Sequence, residues 1–112
     1  MLDTHLYQVF GDEWGRMTCA QHENAACRYR ERLRNANNKL WTVVGEWSLA
    51  TPAELRCNNQ AALARNQIGV WEQASGWFFW SHNNGQNWAE WSFKHSLNNG
   101  WIRPNDNNQP SC

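Results

Sequence analysis

The chain has 112 residues and a formal net charge of zero, enough length for one domain with a modest core and too little charge for the field of a nucleic-acid binder. No apolar run approaches the length of a membrane span, so neither nucleic acid nor membrane is expected as a partner. Nine tryptophans and fifteen asparagines supply flat apolar faces and paired amide donors and acceptors, a mixture that suits sugars, although any one tryptophan can equally fill a core.

Thr4 to Phe10 predicts a strand from its β-branched and aromatic content. Gly11 and Gly15 break a loop over 11–17. Thr18 and Gln21 form a capping box that opens a helix over 19–35. Its inner stripe is Cys19, His22, Ala26, Tyr29 and Leu33. Arg28, Arg30, Arg32 and Arg34 lie mostly off that stripe and read as a solvated face rather than a phosphate site. After a turn over 35–39, Leu40 to Trp47 predicts a second strand, with Thr42, Val44 and Glu46 on one face. Thr51-Pro52-Ala53-Glu54 is a second capping signature, interrupted at 57–59. A main helix over 60–74 turns Ala61, Ala64, Ile68 and Trp71 inward. Trp77 to Ser81 predicts a third strand, apolar on both faces and therefore buried. An Asn/Gly-rich loop over 82–89, a short helix over 90–97 and a polar tail over 103–111 complete the chain.

Strands alternating with helices imply parallel pairing and right-handed crossovers, an α/β fold of three consecutive β-α units. Three units are too few for an eight-stranded barrel of roughly 250 residues, but they suit an arc of one. Chemistry in such barrels sits at the carboxyl ends of the strands, here the regions of Tyr7, Glu46 and Trp80.

Cys19, Cys27, Cys57 and Cys112 are an even set with no CxxC, read as two disulfides in an oxidising compartment. Buried free thiols are the alternative. A zinc site on Cys19-x-x-His22 is a further one, although no second ligand pair has matching spacing. The amino-terminal region lacks the basic and apolar pattern of a signal peptide. A secreted protein of this sequence is therefore expected to be a processed chain or a piece of a longer one.

In Val43-Val44-Gly45-Glu46-Trp47-Ser48 an apolar run delivers one carboxylate between a glycine and a tryptophan. It is joined in order by His5-x-Tyr7-Gln8-Val9-Phe10, Gln21-His22 with Ala26-Cys27, Gly76-Trp77-x-Phe79-Trp80-Ser81 and Glu90-Trp91-Ser92-Phe93. Together these resemble the C-terminal part of the secreted exo-β-1,3-glucanases (glucan 1,3-β-glucosidases) of glycoside hydrolase family 5, over nearly the whole chain. The resemblance implies one partial-barrel domain over 1–112, equivalent to strands six to eight of a TIM (β/α)8 barrel and incomplete as a single chain. It implies that Glu46 is the nucleophile, that Tyr7 hydrogen-bonds it, and that His5 lies near the acid/base and leaving group. Trp80 would floor the first sugar subsite, with Trp47, Trp88 and His82 as further substrate-binding candidates. Cys27 would pair with Cys112, tying down the tail over 102–112 and leaving Cys19 for Cys57. Glu90 falls past strand eight and reads as structural. No cofactor and no metal are implied. The implied location is extracellular or cell wall, and the implied partner is β-1,3-glucan or a related polysaccharide.

The chain departs from that family in one respect. The family's acid/base glutamate follows strand four in an Asn-Glu pair, and no Asn-Glu occurs here. Loss of proton transfer alone costs on the order of 10²–10⁴ in rate. Three expectations follow: a part that works beside the remaining barrel half, a self-assembling remnant that pairs with another copy and binds β-glucan without cleaving it, or a structural or decoy protein.

Overall fold

The computed structural model describes residues 1–83, 88–103 and 108–112. The loop read over 82–89 and the tail read over 103–111 lie partly outside the described residues. Three strands, β1 (Leu2–His5), β2 (Thr42–Trp47) and β3 (Gly76–Phe79), form a parallel sheet in that order. Sequential parallel strands with right-handed crossovers carry their helices on one face. That face holds the core: Leu6, Ala26, Leu33, Val44, Trp47, Leu49, Leu63, Ile68, Val70, Trp71 and Ile102. The result is a compact α/β fold in which β-α units follow one another.

β1 begins earlier and ends earlier than the Thr4–Phe10 expectation. The Leu6 N–H still reaches the Glu46 carbonyl at 2.9 Å. Beyond it the Gln8 side chain turns inward to His22, which draws the chain off the ladder. A four-residue helix α1 (Asp12–Gly15) interrupts the loop.

The Thr18 capping box forms as its sequence dictates: Thr18 Oγ1 accepts from Gln21 N and Gln21 Oε1 from Thr18 N. The expected single helix is α2 (Cys19–Ala25), a 3₁₀ turn over Ala26–Tyr29, and α3 (Arg30–Lys39). His22, Ala26 and Leu33 are buried along the stripe. The asparagines read as a turn belong to α3, because Asn37 Oδ1 finds partners elsewhere, the Thr42 N–H and the Ser75 hydroxyl.

β2 carries one extra residue. Thr4 pairs with Val44 and His5 with Glu46, while Val44 pairs with Trp77 and Trp47 with Phe79. Such a bulge re-aims the side chains beyond it. Thr42 and Val44 are buried on the helix side, but that place is then taken by Trp47, not by Glu46. The expectation that Thr42, Val44 and Glu46 share a face is corrected. Gly45 permits the arrangement. A Cβ there would lie 1.8 Å from Asp3 Oδ1, so the Asp3 carboxylate occupies the space a side chain would need.

Thr51-Pro52 starts only a 3₁₀ turn, Ala53–Leu55, which ends at Arg56 in the left-handed region (φ 49°). The main helix α4 (Gln60–Trp71) buries Leu63, Ala64, Ile68 and Trp71. Ala61 is exposed, contrary to expectation. α4 is covered twice near its end, because the C-terminal tail also crosses it. A Cβ at Gly69 would meet Pro110 Cδ at 2.5 Å and the Asn108 carbonyl at 2.6 Å.

β3 is not buried on both faces. Trp77 and Phe79 pack on the core, whereas Phe78 is 62% exposed on the other side. The Trp80–Ser81 peptide is cis. The last expected helix is a 3₁₀ turn (Ala89–Trp91) followed by α5 (Phe93–Asn98), capped by Ser92 Oγ accepting from His95 N. Cys112 pairs with Cys27, and Cys19 with Cys57. The zinc reading therefore fails at Cys19. Among the described residues no His, Cys, Asp and Glu group is arranged for a metal, and no helix is long and apolar enough to cross a membrane.

Candidate active site

At the carboxyl end of the sheet the bulge turns Glu46 away from the core. The Tyr7 hydroxyl donates to Glu46 Oε2 at 2.7 Å. His5 Nδ1 lies 3.7 Å from the same oxygen, and His5 Nε2 lies 3.1 Å from Asp3 Oδ2. Asp3, His5, Glu46 and Tyr7 thus form a continuous polar row across β1 and β2. Burial drives the Tyr7 phenol well above its usual range, and the hydrogen bond to Glu46 and that carboxylate's charge act in the same direction. Tyr7 therefore stays a protonated donor. A fixed, half-exposed carboxylate with one oxygen held by a phenol can act as a nucleophile.

Aromatic rings surround Tyr7. Phe10 lies at 5.3 Å and Trp91 at 5.5 Å between ring centroids. Trp80 is 55% exposed, and its backbone N–H donates to the Trp47 carbonyl at 2.8 Å, so it leaves the sheet beside the end of β2. Trp88 and His82 are exposed, His82 at a hollow of about 200 Å³ with Phe78 and Phe93. Trp47 is corrected as a substrate-binding candidate. It is 0% exposed, with Phe79, Trp77 and Trp71 edge-on at 4.9, 5.3 and 6.4 Å. It has no face to offer a ligand. Asp3 is a site neighbour that the sequence reading does not place there; Trp91, which that reading leaves open between site and core, stands beside Tyr7. The Asp3-x-His5 spacing, which puts both on one side of a strand, is the signal that could have found Asp3.

Behind the site lies a buried polar network. The His22 ring is fully buried; its Nε2 meets the Trp14 carbonyl at 3.0 Å and its Nδ1 the Gln8 amide nitrogen at 3.1 Å. The Gln8 amide oxygen accepts from Gln67 Nε2 at 3.0 Å. A carbonyl only accepts and an amide nitrogen only donates, so His22 is neutral with its proton on Nε2. Burial pushes its pKa below the ordinary value, outweighing the opposite pull of the Trp14 carbonyl. The unfolded chain takes up this proton near pH 6.5, and the folded chain resists it. The stability His22 contributes is therefore complete above about pH 6.5 and lost as pH falls through its lower folded pKa. Melting temperatures should fall on acidification over that window, and His22→Gln should flatten this pH dependence; an unchanged slope would contradict the assignment.

No family model matches the chain. It is similar to a protein of Aspergillus terreus described as a probable glucan 1,3-beta-glucosidase A, at 25% identity over 89% of this chain and 33% of the relative. A glucan 1,3-beta-glucosidase of Candida oleophila is 25% identical over 91% of this chain and 32% of that protein. One from Blumeria graminis is 38% identical over 43% of this chain and 11% of its own length. The chain thus has a distant, glycoside-hydrolase-like relationship to glucan 1,3-β-glucosidases and spans about a third of the Aspergillus terreus and Candida oleophila proteins.

Proposed function

We propose that the chain is the C-terminal part of a retaining exo-β-1,3-glucanase of glycoside hydrolase family 5, with Glu46 as its nucleophile. The observation that carries this reading is the 2.7 Å hydrogen bond from Tyr7 to Glu46 at the carboxyl end of a parallel sheet. In the first step a Glu46 oxygen attacks the anomeric carbon. The glycosidic C–O bond breaks, and its electron pair leaves with the departing oxygen. The Tyr7 hydroxyl holds and aims the Glu46 carboxylate. His5 faces the same carboxylate and would stand near the leaving group. The exposed Trp80 face would support the sugar ring and favour the cationic transition state. A retaining pair needs a second carboxyl group roughly 5 Å from the first to protonate the leaving oxygen. The remaining barrel strands would supply it. The two disulfides suit secretion.

A second reading has its own support. Leu2, Phe78 and Trp80 expose apolar surface along the sheet's uncovered side and edge. Such surface suits pairing with the rest of a barrel or with another copy, with glucan bound and not cleaved. Retention on insoluble β-1,3-glucan tests the sugar site in both readings. The wild-type chain should be retained and Trp80→Ala released at least about tenfold more readily. Equal behaviour of the two proteins, or no retention of either, would remove Trp80 from the site.

A further inference from the structure

Two residues beside Glu46, Asp3 and Gly45, take no part in the steps above. Asp3 and His5 stand on the same side of β1, and each oxygen of the Asp3 carboxylate has its own contact. Oδ2 lies 3.1 Å from His5 Nε2. Oδ1 lies over Gly45, where a Cβ would come within 1.8 Å of it. Gly45 does not have a positive φ, so its backbone does not call for glycine; the room above it does. We infer that Asp3 is a positioning residue for the Glu46 reaction and that Gly45 is its seat: the carboxylate lodges over Gly45 and from there fixes the His5 ring against Glu46. This rests on Glu46 as the nucleophile and gives a task to two residues that the nucleophile assignment does not use.

The register shows how the seat arises. Thr4 pairs with Val44 and His5 with Glu46, so Gly45 is the residue of β2 that faces the step between them. Asp3 pairs with Val43, and its side chain reaches two residues along the partner strand to lie there. A carboxylate accepts, so its hydrogen bond keeps a proton on His5 Nε2. Nδ1 is thereby directed at Glu46 Oε2, 3.7 Å away, the same oxygen that Tyr7 holds at 2.7 Å. The His5 side chain is 47% exposed, so packing leaves its ring freedom that the bond to Asp3 removes. Small misplacements of a group beside a reacting atom are costly. Gly45→Ala isolates this device. It keeps every functional group of the row, but its methyl must push aside the Asp3 carboxylate, the far end of a flexible side chain, and so takes the partner from His5.

The test is the burst of dinitrophenolate released from a dinitrophenyl β-glucoside, which reads the attack by Glu46 alone, with circular dichroism as evidence of folding. Asp3→Ala and Gly45→Ala should each lower the burst rate constant at saturation about tenfold, the scale of one lost hydrogen bond. The concentration for half-saturation should stay nearly the same. The double variant should be no slower than either single one, because both remove the same contact. Formate, a free carboxylate that fits the room above Gly45, should restore the rate in Asp3→Ala. It should fail in the double variant, where the added methyl fills that room. Full burst rates in both single variants, or losses that multiply in the double variant, would overturn the positioning role; if Glu46→Gln still abolished the burst, the nucleophile would stand. A wild-type chain without a burst would overturn both.

Discussion

One dinitrophenolate released per chain, in a rapid burst, is the expected result of mixing this protein with a dinitrophenyl β-glucoside. Dinitrophenolate departs without being protonated, so the first half of a retaining reaction can proceed with a nucleophile and no acid. The second half needs a base to activate water. No Asn-Glu motif supplies one, so the reaction should stall after one equivalent. Glu46→Gln removes the attacking oxygen's charge and should lower the burst rate by about 10⁴-fold or more, a barrier increase of about 5.5 kcal/mol. Tyr7→Phe deletes one hydrogen bond to a charged group, worth about 1.5–3 kcal/mol, and should slow the burst about 10–150-fold. Azide attacks without needing a base and should restore turnover in the wild type. A burst that persists in Glu46→Gln would show that another group attacks.

Reduction of both disulfides should unfold the protein near neutral pH and room temperature. The cross-links join residues 38 and 85 positions apart. Loop-closure entropy assigns them about 4 and about 4.5 kcal/mol. A domain of this size is stable by only about 5–15 kcal/mol, so losing both removes most or all of the margin. The two bonds also act locally. Cys27–Cys112 holds the tail across Gly69 of α4, together with the Ser111 N–H on Asn66 Oδ1. Cys19–Cys57 ties the segment after β2 to the start of α2. Urea denaturation with and without reductant measures the effect. The single pairs, Cys27→Ser with Cys112→Ser and Cys19→Ser with Cys57→Ser, should each lower the midpoint, the first by more. A reduced protein with an unshifted midpoint would contradict this.

Much of this arrangement is legible in the residues because it is local. The β-α order, the Thr18–Gln21 capping box and the His22, Ala26, Leu33 stripe need only neighbouring side chains. Tyr7 and Glu46 meet because one follows β1 and the other lies near the end of β2, at the carboxyl ends of paired parallel strands. What escapes is long-range. Nothing within β2 announces that the Asp3 carboxylate fills the Cβ position of Gly45, yet that contact accompanies the bulge that turns Glu46 outward and sends Trp47 into the core. The outward Phe78 is hidden for a similar reason. A run of aromatic residues reads as buried on both sides, but the described residues cover the sheet on only one. Gln8, which reads as part of a strand, leaves it to satisfy the buried His22, a partner fourteen residues away.

The central claim is that Glu46 attacks an anomeric carbon, and it is tested most directly by trapping. A dinitrophenyl 2-deoxy-2-fluoro-β-glucoside forms a glycosyl-enzyme ester whose slow hydrolysis allows peptide mapping by mass spectrometry. The account predicts one fluoroglucosyl group per chain, on the peptide containing Glu46, and none in Glu46→Gln. A wild-type chain that stays unlabelled, or a label that maps to any other residue, would contradict it.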